Sequence, residues 1–458
     1  MDNFWSFLKS TNQSIKSSVI VRIIIITILI LLLLIPMGMV SSIIRERKHR
    51  RQYVINEINS KWALNQTLLG PVLDIPYIVY YTTKYTDGNG VEREKINKET
   101  KHAYFLPDNL KINGKVFPEF RKRGIYSTVV YTSDLIITGE YSFPDFSQWK
   151  ISSNNILWED AVISFGISDT RGINKTIDMK WNNTNITLIP GVKNNPLIKS
   201  GIYSPVLIKK DKKSFQLFEI KLNFRGSSSL SFLPFGKKTE VKIDSKWPSP
   251  SFNGAFLPKE RTLDDNGFSA LWEIFDYNRE FPQSWTDDKM ITVNNTEFGV
   301  ELFMPVDEYQ KTERSTKYAI LFIILTFAAV FILFEILNKN RIHPIQYLLV
   351  GFSLTIFYLL LISLSEHIPF NWAYLISSLS IITIITIYSK SLSKKNTLTF
   401  IFVLMLISLY GFLFFTLQLE DYSLLVGSIG LFIILSIIMI FTRKIDWYNF
   451  KLNKIEDK

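Results

Sequence analysis

Hydrophobic residues along this chain are gathered into blocks at its two ends, and the stretch between them is polar, aromatic and turn-rich. The first block, Ile23–Val40, is interrupted only by Thr27, Pro36 and Gly38. Five more lie at Tyr318–Leu337, Tyr347–Leu364, Phe370–Tyr388, Thr397–Leu417 and Tyr422–Phe441. A bilayer core about 30 Å thick takes roughly 20 apolar residues of helix, so each block with its flanks is long enough to span. A buried soluble helix imitates one such block but not a series of six. The pattern predicts a polytopic α-helical membrane protein with six spans. The first run exceeds the apolar segment of a signal peptide, usually about 7–15 residues, and is followed directly by the basic stretch Arg45–Arg51. It reads as an uncleaved anchor.

The middle of the chain follows a different period. Phe218–Phe224 is apolar at every even position, and Glu240–Asp244 is apolar at every odd one. A period of two means strands with one wet and one buried face. Tyr77–Tyr85, Ser127–Tyr141 and Asp160–Ser168 read as further strands, and Asp87-Gly88-Asn89-Gly90 carries hairpin-turn chemistry. Antiparallel sheets in a sandwich-like arrangement follow, as one body or two lobes. A short helix is expected at Asn56–Leu68. Trp247–Gly254, with prolines at 248 and 250, is expected to be a rigid turn that ends a strand and packs its aromatics inward. The resulting division is a tail at 1–18, a span at 19–40, a large β-rich domain at 41–317 inserted between spans 1 and 2, a five-helix bundle at 318–441 and a tail at 442–458.

Charge gives this arrangement a direction. The net charge of +11 first suggests a polyanion, but much of the excess flanks the apolar blocks, where it sets topology rather than binding nucleic acid. Lys339 and Arg341 follow the second block, Lys390, Lys394 and Lys395 the fourth, and Arg443, Lys444, Lys451 and Lys454 the sixth. The alternate loops, Ser365–Pro369 and Gln418–Asp421, contain neither Lys nor Arg. Positive loops stay cytoplasmic, which puts both termini inside and residues 41–317 in the periplasm of a bacterial inner membrane. The Arg45–Arg51 run is the one dissenter. Long domains cross largely regardless of flanking charge, and the run reads as a solvated helical turn in preference to one lying against anionic headgroups.

Candidate chemistry is sparse. The chain has no cysteine and four histidines, so it offers no disulfide, no thiolate and little from which to build a metal site. No catalytic residue, cofactor-binding residue or metal ligand is assigned. Glu335 is the one carboxylate inside a predicted span, and intramembrane ionisable residues are functional candidates by default; an i, i+4 pair with Lys339 is its plain structural role. Glu366 and His367 sit side by side at the outer end of the third span, where the histidine is a candidate acidity sensor or an ordinary helix-end residue. His343 precedes Pro344 at the start of that span, a placement suited to a helix N-terminus, and Gln346 is a candidate for hydrogen bonding between spans. Glu313, Arg314 and Lys317 stand where the soluble domain enters the second span, as a coupling element or a charged interfacial collar.

Several of these residues fall in strings that resemble one family. Phe298-Gly299-Val300, Pro305–Tyr309, Glu313-Arg314, Lys317–Phe322, His343–Gly351, Phe357–Leu360 and Ser363–His367 resemble the CreD family of bacterial inner-membrane proteins, described as cell envelope integrity proteins. Weaker matches lie upstream, at Arg123–Tyr126, Asp169–Ile173, Leu233–Gly236, Trp247–Gly254 and Gly267–Trp272. The resemblance covers roughly residues 40 to 390, and the last two spans match in hydropathy alone. It implies an envelope protein linked to a response to cell-wall stress and to β-lactam tolerance, with no established catalytic residue to carry over. Three readings remain open: a non-enzymatic protein whose partners are the lipid bilayer and an unknown periplasmic envelope component or protein; a small-solute transporter or channel built from the bundle; and a membrane-bound envelope hydrolase.

Overall fold

The computed structural model describes residues 19–86, 92–193, 195–209, 214–289, 291–293, 295–304, 308–338, 340–392, 395–419 and 422–443. The chain forms two compact units, one of residues 1–52 with 306–458 and the other Tyr53–Pro305.

The first unit is helical. Helix α1 (Val19–Trp62) runs for 44 residues, and after the β-rich unit come α2 (Glu308–Lys317), α3 (Ala319–Val330), a π-helical segment (Phe331–Leu337), α4 (Pro344–Ser365), α5 (Phe370–Leu392), α6 (Asn396–Gln418) and α7 (Ser423–Thr442). Five of these segments are long and apolar enough to cross a membrane, and α7 carries a shorter apolar stretch at Leu425–Ile440. Their outward faces are apolar too: Ile28, Leu31, Ile35, Leu379, Ile387, Phe400, Leu404 and Phe432 are all exposed. A water-soluble bundle rarely presents so large an apolar surface, whereas lipid solvates it. This is a polytopic α-helical membrane protein with a large β-rich domain between its first and second apolar helices.

Where lipid and helix are equally apolar, packing and close approach hold helices together. On α1, Leu33, Met37, Val40 and Ile44 are buried along one face and join a core with Phe327, Phe334, Tyr347, Leu354 and Phe357. Gly351 permits this approach. A Cβ there would stand 2.2 Å from a Leu33 methyl and 2.9 Å from the Phe327 ring.

The second unit is a two-sheet β-structure. Its strands are β1 (Gln66–Thr86), β2 (Glu92–Phe105), β3 (Asn109–Arg123), β4 (Tyr126–Tyr141), β5 (Val162–Ile167), β6 (Asp178–Trp181), β7 (Thr184–Ile186), β8 (Ile189–Pro190), β9 (Gly201–Pro205), β10 (Gln216–Ser227), β11 (Ser229–Phe232), β12 (Lys238–Ser245), β13 (Pro250–Gly254), β14 (Glu260–Asp264), β15 (Gly267–Phe275), β16 (Ser284–Thr286) and β17 (Phe298–Leu302). One sheet has the order β13-β17-β11-β1-β5-β9-β8, with β2 on β1 and β16 on β2; the other runs β14-β15-β12-β3-β4-β10-β6-β7. The alternation forms as expected: Phe218, Ile220, Leu222 and Phe224 of β10 are buried, as are Val241 and Ile243 of β12. Side chains from both sheets make one continuous core, not two lobes, with Trp272, Trp285, Tyr131 and Phe298 among its largest members.

Local expectations change in two places. The separate helix at Asn56–Leu68 does not form. No Pro or Gly interrupts the chain between Val40 and Trp62, so α1 continues through, and residues 66–68 instead pair in parallel with 230–232 of β11. The Arg45–Arg51 run lies inside that helix with Arg45 and Arg50 exposed, in keeping with the solvated helical turn expected of it. Trp247 is buried as expected, but Pro250–Gly254 is a strand, β13, paired with β17. The hairpin tip Asp87–Gly90 lies outside the described residues, although β1 and β2 pair antiparallel up to it.

Candidate functional site

The sequence-selected residues of the helical unit gather at two places, one at each end of α4. That helix has 22 residues, so the two groups stand about 33 Å apart at 1.5 Å per residue.

The first group centres on Glu335. It sits in the π-helical segment and is fully buried. Such segments are rare and occur often at functional positions. Arg22, at the start of α1, donates from Nη1 to Glu335 Oε1 at 3.1 Å and to the Ile342 carbonyl at 2.6 Å. The Tyr347 hydroxyl donates to the same carboxylate oxygen at 3.2 Å. One guanidinium therefore joins the first helix, the π-helical segment and the turn before α4. Glu335 Oε2 is buried and accepts no hydrogen bond from the described residues. The i, i+4 partner expected for Glu335, Lys339, lies outside the described residues.

His343 and Gln346 form the N-terminal cap of α4. His343 Nδ1 accepts from the Ile345 N–H at 3.3 Å, Gln346 Oε1 accepts from the His343 N–H at 2.9 Å, and Pro344 fills the first turn. This reciprocal capping satisfies N–H groups that a helix start leaves without partners. The amide oxygen of Gln346 is thus engaged within its own helix.

The second group is a collar of charge. Arg47 of α1 lies 3.8 Å from Glu366, and Lys48 lies 2.9 Å from Glu313 on α2. Arg314 donates to the Leu419 carbonyl at 2.8 Å, and Lys311 donates to Gln418 at 3.2 Å, tying α2 to the end of α6. Gln418 in turn donates to Asn371 on α5 at 2.6 Å. The Lys48 ammonium holds the Glu313 carboxyl below its ordinary range. Arg47 is 43% exposed, so its long pair with Glu366 contributes little by itself. His367 Nδ1 lies 3.1 Å from the Ser363 carbonyl, one turn back in α4.

The partners Arg22, Arg47, Lys48 and Tyr347 are what sequence reasoning passed over. A signal existed for the first: Arg22 directly precedes the apolar block that faces the one intramembrane carboxylate. Among the described residues no group of three or more acidic or histidine side chains is placed to hold a metal ion.

Comparison with known proteins covers both units. The family model described as "CreD: Inner membrane protein CreD" matches residues 18–448, which extends past the strings recognised by eye and includes the last two apolar helices. The chain is 35% identical over 423 residues to the inner membrane protein CreD of Escherichia coli (strain K12), covering 92% of each chain. A match of this identity across the helical and the β-rich unit alike places the chain in the CreD family of inner membrane proteins.

Proposed function

We propose that this is a six-span inner-membrane envelope integrity protein with both termini cytoplasmic, whose periplasmic domain, residues 41–317, binds an envelope component or partner without transforming it. Its action then belongs to the response to cell-wall stress and β-lactams. The loop charges support the orientation: the two loops without Lys or Arg alternate with loops carrying two or more. The observation that carries the reading is the family match running unbroken from 18 to 448, so that membrane helices and β-domain are kept as one device. The collar fits an anchoring role, since Arg47, Lys48, Lys311 and Arg314 are each engaged with α2, α4 or α6 rather than left lining a path.

Photo-crosslinking from the exposed face of the domain in intact envelopes tests this, with Tyr277, 90% exposed, as the labelled position. A discrete crosslinked envelope species is expected, and purified protein is expected to leave wall and lipid substrates unchanged. Substrate turnover by the purified protein contradicts the reading.

One observation favours transport as a second reading: a Glu335 oxygen buried in a π-helical turn with no hydrogen-bond partner among the described residues. Solute uptake into proteoliposomes that is abolished by Glu335→Gln would select it.

A further inference from the structure

A second cluster of chemistry lies in the β-rich unit, away from every residue selected above, and pairing register builds it. In the β1–β2 hairpin Asp74 stands opposite Tyr104 and Pro76 opposite His102, and β16 sets Trp285 opposite Tyr104. Opposed residues share a sheet face, and so do residues two apart, so Asp74, His102, Tyr104 and Trp285 all lie on one face. Their rings form a stack: His102 on Tyr104 at 6.3 Å and 19°, Tyr104 on Trp285 at 5.4 Å and 27°.

Hydrogen bonds then fix three of the four members. The buried Asp74 carboxylate holds His102 Nδ1 at 2.8 and 3.0 Å from its two oxygens. Asp287, just past β16, accepts from the His102 N–H at 2.8 Å and from the Tyr104 hydroxyl at 2.9 Å. The Asp74 carboxylate, aided by Asp287, raises the His102 pKa and favours the imidazolium.

Around this frame is an open cleft of about 820 Å³, lined by His102, Trp285, Asp287, Asn195, Lys199 and Lys289 among others. Two donors in its wall find no acceptor among the described residues. Trp285 is almost fully buried, and its indole N–H makes no hydrogen bond. The Asn195 side chain is 9% exposed, and its Oδ1 accepts from the Leu197 and Ile198 N–H groups at 2.9 and 3.3 Å. That pairing fixes which end is oxygen, and it leaves the amide Nδ2 buried without a partner. A buried N–H left unmade costs about 1–3 kcal/mol, so two in one wall mark a place where an acceptor belongs. The lining cations are His102, Lys199 and Lys289, and the one lining carboxylate, Asp287, is already occupied by two donors.

We propose that this cleft binds a carboxylate-bearing ligand, whose oxygens take the N–H groups of Trp285 and Asn195 beside the His102 imidazole. The assignment rests on the reading of the domain as a binding module and names the chemistry of what it binds. Because both donors are closed to bulk water, the loop carrying Asn195 must shift outward on binding.

The test uses the full-length protein in nanodiscs and isothermal titration with acetate, N-acetyl-Ala-Ala and glucuronate, each beside its uncharged amide. At least one carboxylate is expected to bind saturably, with its amide at least tenfold weaker. Trp285→Phe, which keeps the ring and loses the N–H, should weaken binding about tenfold, since a hydrogen bond to a charged group is lost. Asn195→Asp keeps the acceptor for the loop N–H groups and sets a carboxylate against the ligand, so binding should vanish while the circular dichroism of the folded β-rich unit is kept, with a lowered unfolding transition. Equal binding of acid and amide, wild-type affinity in Trp285→Phe, equal displacement by inorganic phosphate, or no binding by all three carboxylates overturns the assignment. If none binds yet wild-type and Trp285→Phe protein crosslink the same envelope species, the cleft assignment fails while the binding reading stands.

Discussion

Replacing Arg22 with Met isolates the contact that ties α1 to the π-helical segment and the turn before α4. The substitution keeps the aliphatic stem and removes the guanidinium, so Glu335 loses its donor at 3.1 Å and the Ile342 carbonyl loses one at 2.6 Å. Glu335 is fully buried, and breaking a buried pair from one side usually costs about 3–5 kcal/mol because a charge is left uncompensated. Two facts reduce this: Arg22 keeps 16% exposure, and Tyr347 still donates to the carboxylate. About 3 kcal/mol is expected. Removing both charges in Arg22→Met/Glu335→Gln leaves no stranded ion, so the double variant should recover about 2 kcal/mol relative to Arg22→Met alone. Reversible unfolding in mixed micelles across the four proteins of the cycle measures this coupling directly. Wild-type stability in Arg22→Met, or a double variant no more stable than that single one, refutes the pairing as a structural tie.

Three further outcomes follow from the same physics. Gly351→Leu drives a side chain into Leu33 and Phe327 and should destabilise the helical unit by about 1–3 kcal/mol in the same unfolding assay, with Gly351→Ala milder. Trp62 is stacked between the guanidiniums of Arg121 and Arg225, at 4.4 and 4.6 Å, and donates to the Tyr131 carbonyl; Trp62→Ala should cost about 3 kcal/mol and Trp62→Phe about 1, read by thermal unfolding of the β-rich unit. His102 has a folded-state pKa raised by Asp74, so its stabilisation is complete below its unfolded pKa of about 6.5 and is lost as pH rises through the folded value. The β-rich unit should therefore lose stability from neutral to alkaline pH, and His102→Gln should flatten that slope; an unchanged slope removes His102 from the account.

What the sequence made legible follows from what each pattern encodes. Apolar length exposes helices suited to a bilayer, and period two in Phe218–Phe224 exposes a strand with one buried face. Neither encodes direction within an all-apolar helix. Nothing in Ile23–Val40 distinguishes Leu33, which is fully buried, from Leu31, which is exposed, so the partner face of α1 stayed hidden and Arg22 with it. The end of α1 was misread for a related reason: residues 56–68 carry helical periodicity up to Trp62, but residues 66–68 are claimed by β11, 164 positions away between Gln66 and Leu230. The cleft was invisible because it depends on register. Asp74, His102, Asn195 and Trp285 are far apart in the chain, and only the pairing of β1, β2 and β16 sets three of them on one face. Glu335 was visible as an anomaly of composition, a carboxylate inside an apolar run, whereas its partner was not.

The central claim is that the β-rich domain faces the periplasm from a membrane unit whose termini are cytoplasmic. The chain contains no cysteine, so single cysteines can be introduced without background. Tyr277→Cys lies on the exposed surface of the domain, and Ser391→Cys lies exposed at the end of α5 in a loop read as cytoplasmic. With a membrane-impermeant maleimide on intact spheroplasts, Tyr277→Cys should label fully and Ser391→Cys only after lysis. Labelling of Ser391→Cys before lysis, with Tyr277→Cys protected, contradicts the account.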